Sequence, residues 1–463
     1  MKKIILIATL FAVTFTSYSQ SLGYQDLAIL FSKNDQNGTA RFTAMSGAFG
    51  ALGGDISSIN INPAGLAVYK NSAFSGSLNT RNTNITTNYY GNSLTTQNEF
   101  FNFSHAGAVL VFDTAYDSEW SKFAIGFNYR IKKDFSNGFI AEGNSGTASF
   151  NEFPLDPNIN TTPIQYDNAE EQRFNNVTNG ELTEFNFGFS AVHQNKLYIG
   201  AVINTYDLKF SQKTVLKEQN NDGNGNTLNA RYYQENITTG TAFSLGAGFI
   251  YKAHQNFRFG LSYQTPTWFT EVFEETNITN NDGFNGDTEI EVSNNNTIYD
   301  NTAGNNFPTQ EFDYKLKTPS KLTASAALIL GKMGLISADF TKKNYQKTLL
   351  SNSNFTTENQ FFQNNLRNTY SFNVGTEWRL NRFSIRGGYR FEQSPYVNVL
   401  DTDDLKGYSF GGGYNFGEIK IDLSYSNNNK TDSYAFYPQY NQVNATGLKI
   451  DNSKFTATVT LNL

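Results

Sequence analysis

The sequence predicts an all-β transmembrane barrel of about fourteen antiparallel strands. Three observations lead to this fold class: an N-terminal export segment, a long series of runs in which apolar and polar residues alternate, and a last run that ends with the chain itself. Alternation with a period of two is typical of strands with one apolar and one polar face, and in a membrane barrel the apolar face is turned to lipid.

The first residues carry the features of a secretory signal peptide. Met1-Lys2-Lys3 is a short basic start, residues 4–15 form an apolar run, and Ser17 and Ser19 occupy the two positions that a signal peptidase reads. Cleavage after Ser19 gives a signal peptide of residues 1–19 and leaves Gln20 at the mature N-terminus. The run is shorter than the roughly 18–20 residues that a spanning helix needs, so no transmembrane helix is predicted.

The composition excludes several classes of protein. No Cys occurs in 463 residues, which excludes disulfides and thiolate metal sites. The three His are far apart in sequence, and no spacing typical of a metal site or motif of an enzyme stands out, so no metal, cofactor or catalytic activity is expected. The formal net charge of −6 is spread without a basic run, which argues against nucleic acid as a partner.

The alternation is clear in residues 123–131. The odd positions of this run are apolar or aromatic, whereas the even positions are small or polar; the first set is Phe123, Ile125, Phe127, Tyr129 and Ile131, and the second is Ala124, Gly126, Asn128 and Arg130. Runs of this kind are longer here than the five or six residues of an average soluble strand, and aromatic residues fall near their ends. A membrane barrel is therefore favoured over a soluble sandwich.

Fourteen such runs are recognised, an even number as bacterial single-chain barrels require. They lie near residues 72–82, 99–113, 121–133, 182–193, 196–215, 239–253, 256–273, 311–330, 334–350, 366–380, 382–395, 405–416, 418–429 and 453–463. The last run closes the barrel edge, because an unpaired edge in lipid leaves backbone groups unsatisfied. The long connections, near 134–181, 274–310, 351–365 and 430–452, are expected on the extracellular side.

The motif Asp222-Gly223-Asn224-Gly225-Asn226 is interpreted as a turn rather than a calcium loop.

A glycine-spaced stretch precedes the first strand and is expected to occupy the lumen. Ala44, Gly47, Ala48 and Ala51 recur at helical spacing, which predicts a short helix with a small-residue face against the wall. Gly53-Gly54 should end this helix, and Asp55 should cap the turn that follows.

The stretch ends in Asn62-Pro63-Ala64-Gly65-Leu66. A residue before proline is biased away from helix, so this motif is predicted to be a bend rather than a helix. Two interpretations remain open: a movable gating element, or a simple turn into the first strand at Ser72. The expected organisation is a signal peptide (1–19), a hatch (20–71) and a β-barrel (72–463).

These segments resemble the FadL/OmpP1/TodX family of outer-membrane transporters for hydrophobic compounds. Residues 38–55 followed by 62–66 are similar to the family's N-terminal hatch, 316–322 to its Leu-x-x-Pro strand opening, and 374–378 with 386–395 to its late strands. The resemblance implies a plugged fourteen-stranded barrel, long-chain fatty acids as the default cargo, and a hatch around Asn62, Pro63 and Ala64 that shifts when ligand binds. The C-terminal Leu463 and the Asn-rich loops depart from the family pattern.

The alternation also predicts which charged residues face the lumen. Arg386, Arg390 and Glu392 have inward parity, as do Glu377 and Arg379 on the preceding strand. A guanidinium such as that of Arg386 suits a bidentate contact with a carboxylate head group. The other interpretation is a structural ladder in which Arg386 and Arg390 pair with Glu377 and Glu392.

The resulting functional expectation is facilitated diffusion of a hydrophobic small molecule, such as a fatty acid, through a monomeric barrel in contact with outer-membrane lipid. Two alternatives stay open. One is a non-transporting barrel that serves protein secretion as a scaffold or shuttle, and the other is a general porin with a permanently open lumen.

Overall fold

The computed structural model describes residues 21–114, 119–153, 164–277, 287–292, 297–300, 309–438 and 440–463. The predicted signal peptide therefore lies outside the described residues. Among the described helices, none is both long enough and apolar enough to cross a membrane.

Fourteen antiparallel strands form a closed barrel, as predicted. Each strand pairs with the next along the chain, and the last pairs with the first from Ala73 opposite Asn462 to Asn88 opposite Gly447. The strands are β1 (Ala73–Tyr89), β2 (Asn92–Asp113), β3 (Trp120–Asp134, continued by Asn137–Gly143), β4 (Asn168–His193), β5 (Leu197–Asn221), β6 (Thr227–His254), β7 (Phe257–Gln264, continued by Trp268–Asn277), β8 (Thr309–Lys317, continued by Lys321–Leu330), β9 (Gly334–Asn344, continued by Leu349–Ser351), β10 (Asn368–Leu380), β11 (Phe383–Glu392), β12 (Leu405–Asn415), β13 (Ile419–Tyr434) and β14 (Thr446–Asn462).

Two small hairpins accompany the barrel. Glu152–Phe153 pairs with Ile164–Gln165. Asp287–Val292 pairs both with Thr297–Asp300 and with the part of β6 from Leu228 to Tyr233. A 3₁₀ helix (Tyr345–Lys347) separates the two parts of β9, and the connection between β9 and β10 carries a helix, Thr356–Asn365, that packs against the interior of the barrel.

The wall is apolar outside and polar inside. In β3, Phe127 is 48% exposed whereas its neighbour Asn128 is 4% exposed, and the same contrast recurs around the barrel. Outward apolar side chains include Phe101, Phe103, Phe185, Phe187, Phe189, Ile203, Leu245, Leu261, Phe340, Ile385, Phe410, Leu423 and Val459. So many exposed aromatic and aliphatic residues on one surface are accounted for by a lipid environment, which makes this an outer-membrane-type β-barrel.

One residue of the predicted outer face lies inside. The pairing of β3 with β4 shifts register between Ile131 and Lys133, and Ile131 is only 3% exposed. A β-bulge of this kind places an extra residue in one strand and changes the face on which the following side chains lie. The simple alternation therefore holds up to Arg130 and fails at Ile131.

The two ends of the barrel differ. One end has the short turns, among them 194–196, 255–256, 381–382 and 416–418, and the opposite end has the longer connections. On that second side β4, β5 and β6 have 26, 25 and 28 residues, far more than the roughly nine to eleven that cross a membrane. The predicted connections at 134–181 and 430–452 are thus partly strand, and the one at 274–310 lies mostly outside the described residues.

The N-terminal segment contains four short helices: α1 (Tyr24–Ser32), α2 (Ala40–Ala44), and the 3₁₀ helices Ile56–Asn60 and Pro63–Val68. The helix expected across residues 44–51 is wrong. The helix α2 ends at Ala44 because Ser46 and Gly47 adopt left-handed backbone angles, with φ of 50° and 74°. The small residues are nevertheless buried, as their pattern indicated.

The remaining predictions for this segment are met in part. Asp55 caps the 3₁₀ helix Ile56–Asn60 by accepting a hydrogen bond from the Ser57 backbone N–H (3.1 Å). Asn62 is extended (φ −147°, ψ 108°), as expected before proline. The expectation of a bend without helix is wrong, because proline at the first position is well suited to start the 3₁₀ helix Pro63–Val68.

Candidate functional site

The lower part of the N-terminal segment, residues 38–68, forms a layer that packs directly against the inner face of the wall; we call it the floor. Nine wall glycines allow this close approach, since a Cβ on any of them would come within 3.0 Å of a floor atom. They are Gly107, Gly126, Gly188, Gly200, Gly248, Gly260, Gly375, Gly388 and Gly411. The sequence signal for these nine contacts was glycine at inward-facing positions of the strands, and the sequence analysis did not use it.

The motif Asn62-Pro63-Ala64 lies at the tightest part of this contact. The Asn62 side-chain amide donates to the carbonyls of Gly50 (2.8 Å) and Phe249 (2.9 Å), and its oxygen accepts from the Ala64 backbone N–H (3.2 Å). A Cβ at Gly200 would meet the Ala64 nitrogen at 2.5 Å. Asn62 therefore joins two parts of the floor to strand β6, an arrangement that fits the structural turn.

Wall side chains also hold the floor through its backbone. The Asp339 carboxylate accepts from the N–H groups of Phe49 and Gly50, each at 3.0 Å, while Lys321 Nζ donates to the Asn60 carbonyl (3.0 Å) and Arg258 to the Leu52 carbonyl (3.1 Å). Because these contacts use main-chain atoms, they fix the position of the floor whatever its side chains are.

Arg386 faces the lumen, as predicted, and is already paired. Its Nε donates to Glu377 (2.7 Å) and its Nη1 to Asp422 (2.6 Å). Glu377 also accepts from Arg41 of the floor (2.6 Å) and from Arg379 (2.7 Å). We call these five residues the latch, because they join floor and wall. The latch corresponds to the structural-ladder interpretation of Arg386.

Arg390 has a similar environment. It is 9% exposed and forms an ion pair with Glu392, which Lys343 also contacts (3.0 Å). The predicted head-group candidates Arg386 and Arg390 therefore both point inward, but each has a carboxylate partner on the wall. An anionic ligand at either residue competes with that carboxylate.

Lys132 is a lumenal cation without such a partner, and the sequence analysis missed it. It is 6% exposed, and its Nζ lies 4.3 Å from the centre of the Tyr206 ring, a cation–π contact. Its carbonyl accepts from the Asp35 backbone N–H (2.8 Å), but its Nζ makes no hydrogen bond or ion pair with any described residue. The Glu184 carboxylate acts on Lys132 electrostatically and is itself engaged by Arg130 (2.6 Å). The even position of Lys132 in the predicted strand 121–133 was the available signal, and it was not used.

An apolar cluster fills the lumen above the floor. The helix α1 contributes Leu27, Ala28 and Phe31, and the wall contributes aromatic and aliphatic residues, including Tyr206, Phe210 and Phe269. Since Tyr206 belongs to this cluster, Lys132 lies at its edge. A buried apolar surface with one polar group at its margin is the usual form of a site for an amphiphile.

The hydrogen-bonded wall is interrupted between β2 and β3. Their pairing stops at His105 opposite Arg130, and beyond this point Asn137–Gly143 pairs with β4 alone. There the upper part of β3 meets side chains of the β1–β2 hairpin instead, with Thr87 donating to the Ile140 carbonyl (2.7 Å) and Asn98 to the Gly138 carbonyl (2.9 Å). We call this place the wall break.

A groove on the outer surface lies beside the wall break. Its lining is mostly apolar and includes Phe74, Ala106, Phe127, Tyr129, Phe185 and Phe187. Ala106 pairs with Tyr129, next to the last pair of the ladder, His105 with Arg130. The lipid-exposed groove therefore ends one residue pair short of the wall break.

Charged residues tie α1 to the wall above the floor. Burial, together with the nearby Asp432 carboxylate, raises the pKa of Asp26 to about 6, against the opposing effects of Lys33 and a hydrogen bond from Tyr396. Burial lowers the pKa of Lys33 to about 8, with Lys430 acting in the same direction and Asp432 against it. Lys33 and Asp432 lie 3.9 Å apart.

These shifts predict that α1 is held most loosely near neutral pH. Docking favours protonated Asp26, because its docked pKa of about 6 exceeds the ordinary 3.8, so docking strengthens as the pH falls from about 6 towards 4. It favours neutral Lys33, so docking also strengthens as the pH rises above about 8. Hydrogen-exchange protection factors of the α1 amides should be higher at pH 4.5 than at pH 7, and Asp26→Asn should remove this difference. Equal protection at both values contradicts the prediction.

No metal site was predicted, and the described residues contain no group of three or more His, Asp or Glu that could hold a metal ion. The Asp222 carboxylate is used within its turn, where it accepts from the backbone N–H groups of Asn224 (2.8 Å) and Asn226 (3.0 Å). This matches the interpretation of residues 222–226 as a turn.

Comparison with solved structures identifies the fold. The structure is similar to three solved structures, each match covering 93% of this chain and 99% of the other chain. The first is a Pseudomonas aeruginosa FadL homologue, with a TM-score of 0.56 and 15% sequence identity. The others are the CymD monoaromatic hydrocarbon channel, with a TM-score of 0.53 and 12% identity, and the P. putida toluene transporter TodX, with a TM-score of 0.52 and 13% identity. No family model and no curated protein matches the sequence. The predicted fold class is confirmed, and the similar proteins are described as channels and transporters.

Proposed function

We propose that this chain is a passive outer-membrane transporter of hydrophobic compounds in the FadL/OmpP1/TodX family, with long-chain fatty acids as its cargo. The observation that carries the proposal is the wall break between β2 and β3, which lies one residue pair beyond a membrane-facing apolar groove. The similar fold of a toluene transporter and a hydrocarbon channel supports the class of cargo.

The proposed route begins or ends at the wall break. A hydrophobic molecule gains nothing by crossing a water-filled pore, because its apolar surface is then exposed to water at a cost of about 25 cal/mol per Å². A lateral passage between lipid and the lumenal apolar cluster keeps that surface out of water. The side-chain contacts of Thr87, Asn98 and Asn102 with β3 are among the hydrogen bonds that must break there, in place of a continuous strand ladder.

The proposed cargo carries an anionic head that binds at Lys132. This ammonium is buried beside the apolar cluster and forms no direct ion pair among the described residues, because the Glu184 carboxylate that acts on it is paired with Arg130, whereas Arg386 and Arg390 have carboxylates in direct contact. An unpaired buried cation is costly unless a ligand supplies the opposite charge. We therefore assign Arg386, Arg390 and the motif Asn62-Pro63-Ala64 to holding the floor in place, and Lys132 to the head group.

Replacement of Lys132 tests this assignment. Lys132→Met keeps the length of the side chain and removes its charge, so binding of dodecanoate should weaken about tenfold or more, as expected for a charge-assisted contact of roughly 1.5–3 kcal/mol. The measurement is dodecanoate binding to the purified barrel, together with its flux into lipid vesicles. Flux of dodecanol, which has no charge, should not change.

Lys122→Met is the matched control. Lys122 lies on the same strand near the short-turn end, where its Nζ donates to the Tyr69 carbonyl (2.9 Å), away from the apolar cluster. Dodecanoate binding by this variant should equal that of the wild type. If Lys132→Met and Lys122→Met behave alike, the head-group assignment is wrong. If the wild-type barrel accelerates the flux of neither compound, the transport proposal itself fails.

A further inference from the structure

The short-turn end of the barrel is basic, although the chain as a whole has a formal net charge of −6. Among the described residues, nine Lys and Arg lie in its turns, within two residues of a strand end, or just before β1: Lys70, Lys122, Lys196, Lys252, Arg258, Lys332, Arg379, Arg382 and Lys420. The acidic residues in the same positions are Asp113, Glu119 and Glu418, together with Asp117, which lies outside the described residues. This end of the protein therefore favours an anionic partner.

Two neighbouring turns at this end carry cations beside exposed apolar side chains. The turn 331–333 joins β8 to β9, and the turn 381–382 joins β10 to β11. The Arg379 backbone N–H donates to the Met333 carbonyl between them (2.8 Å). We give the name turn patch to Lys332, Met333, Trp378, Leu380 and Arg382. Its three apolar members are strongly exposed, Met333 at 69%, Leu380 at 62% and Trp378 at 43%.

The two cations of the turn patch have no ionic partner among the described residues. Lys332 and Arg382 are both exposed, and neither side chain forms a hydrogen bond or ion pair within the described part of the chain. Arg379 lies beside them and is held by Glu377 (2.7 Å), yet its side chain is still 53% exposed. Glu418, in the turn after β12, is exposed and forms no ion pair with the patch. The patch therefore presents uncompensated positive charge to its surroundings.

The turn patch is continuous with the lipid-facing surface of the wall. Trp378 lies opposite Gly334 in the pairing of β9 with β10, and its ring covers this glycine, since a Cβ there would lie 2.6 Å from the ring. The neighbouring outward side chains are Ile336, Phe383 and Ile385, all exposed. Tryptophan is enriched where the hydrocarbon of a membrane meets the head groups. The cations of the patch therefore lie at the level of lipid head groups.

We infer that the turn patch binds the head group of an anionic phospholipid in the periplasmic leaflet. Short turns of bacterial barrels lie on the periplasmic side, which identifies the leaflet. The lipid phosphate accepts from the Arg382 guanidinium and the Lys332 ammonium, and the acyl chains pack against the three apolar side chains of the patch. A zwitterionic head group carries its own ammonium, so it compensates these cations less well than a head group of net negative charge. Binding of this lipid is independent of the cargo.

Replacement of both cations tests the site. In the double variant Lys332→Gln/Arg382→Gln, the affinity of the purified barrel for dioleoylphosphatidylglycerol should fall about tenfold or more, since each basic residue near an anionic membrane surface contributes roughly fivefold. The weaker affinity for dioleoylphosphatidylcholine should not change. Native mass spectrometry of the barrel in detergent, titrated with each lipid, measures both dissociation constants. Excess inorganic phosphate should not displace phosphatidylglycerol, because it lacks the acyl chains.

Lys196→Gln/Lys252→Gln is the matched control. Both residues lie at the short-turn end and are neighbours, because the Lys252 backbone N–H donates to the Lys196 carbonyl (2.8 Å). The other residues of the turn 194–196 are Gln194 and Asn195, so this pair of cations has no apolar side chains beside it at the tip of its turn. Loss of the same two charges here should leave the affinity for phosphatidylglycerol within twofold of the wild type.

A second measurement locates the bound lipid. The chain has three Trp, so Trp120→Phe and Trp268→Phe leave Trp378 as the sole indole. In vesicles, dibrominated phosphatidylglycerol should quench this fluorescence more strongly than dibrominated phosphatidylcholine at the same mole fraction. Adding Lys332→Gln and Arg382→Gln should remove the preference.

Equal affinity of the wild type for the two lipids overturns the inference. Equal losses in the two double variants overturn it as well, because the basic charge then acts diffusely rather than at the turn patch. If the wild type binds poly-L-glutamate and shows no preference for phosphatidylglycerol, the patch serves an acidic protein instead. None of these results bears on the transport proposal, which is decided by flux through the wild-type barrel.

Discussion

Deletion of residues 38–66 is expected to turn a barrel without steady ion conductance into an open pore. The floor packs against nine wall glycines, and its removal exposes polar inner residues such as Asp339, Lys321 and Glu377 to water. The barrel should still assemble, because β14 closes on β1 from Ala73 onward, beyond the deletion. Planar-bilayer recordings of the purified variant and of the wild type measure the difference.

A barrel that lacks Asn224 and Gly225 serves as the control for this experiment. Both residues lie in the exposed turn between β5 and β6, away from the floor, so their loss should leave conductance as in the wild type. Failed assembly after deletion of 38–66 would show that the floor is a structural anchor. Steady conductance of the wild type would favour the general-porin alternative.

Glu377→Ala is expected to have the largest effect of any single substitution on stability. It leaves Arg41, Arg379 and Arg386 without their shared carboxylate; among the described residues Asp422 still pairs with Arg386 (2.6 Å) and Asp55 lies 4.0 Å from Arg41. Removing one partner of a buried ion pair costs about 3–5 kcal/mol, and the exposed Arg379 adds little to this. Urea unfolding of the folded barrel in detergent should show the loss, and the α2 amides should exchange faster because Arg41 is released.

Glu170→Ala provides the comparison for this variant. Glu170 is exposed on the upper part of β4, where Asn221 donates to it (2.8 Å), and its replacement should change the free energy of unfolding by about 0.5 kcal/mol or less. Adding Arg41→Met to Glu377→Ala should recover part of the stability, because Arg41 then lies 4.0 Å from Asp55 and is the poorly compensated charge, whereas Arg386 keeps its pair with Asp422 (2.6 Å). Similar losses for Glu377→Ala and Glu170→Ala would contradict the assignment of the latch.

The site was accessible from the sequence only in part. The alternation of outward and inward side chains along the strand placed Arg386 and Arg390 on the inner face, and both do face inward. It did not show that Glu377 and Asp422 already pair with Arg386, because inward direction is a property of one strand whereas pairing depends on its neighbours. Lys132 was accessible in principle from the same parity, but its lack of a partner is a property of the whole inner face.

The errors of the sequence analysis have local physical causes. The bulge after Ile131 breaks a period that the sequence alone makes appear continuous. The helix expected across residues 44–51 fails because the backbone turns at Ser46 and Gly47, a conformation that the close contact of Met45 and Ser46 with Gly375 and Gly388 accompanies. In both places tertiary packing overrides a correct local periodicity.

The sequence by itself determined the fold class, the fourteen strands and the face on which most side chains lie. Alternation along a strand follows from covalent backbone geometry, so it is legible residue by residue. The tertiary structure alone decided the latch, the wall break and the apolar cluster above the floor. These depend on closure of the barrel, which brings Arg41 to Glu377 across 336 residues of chain, and no local pattern records which inward side chains then meet.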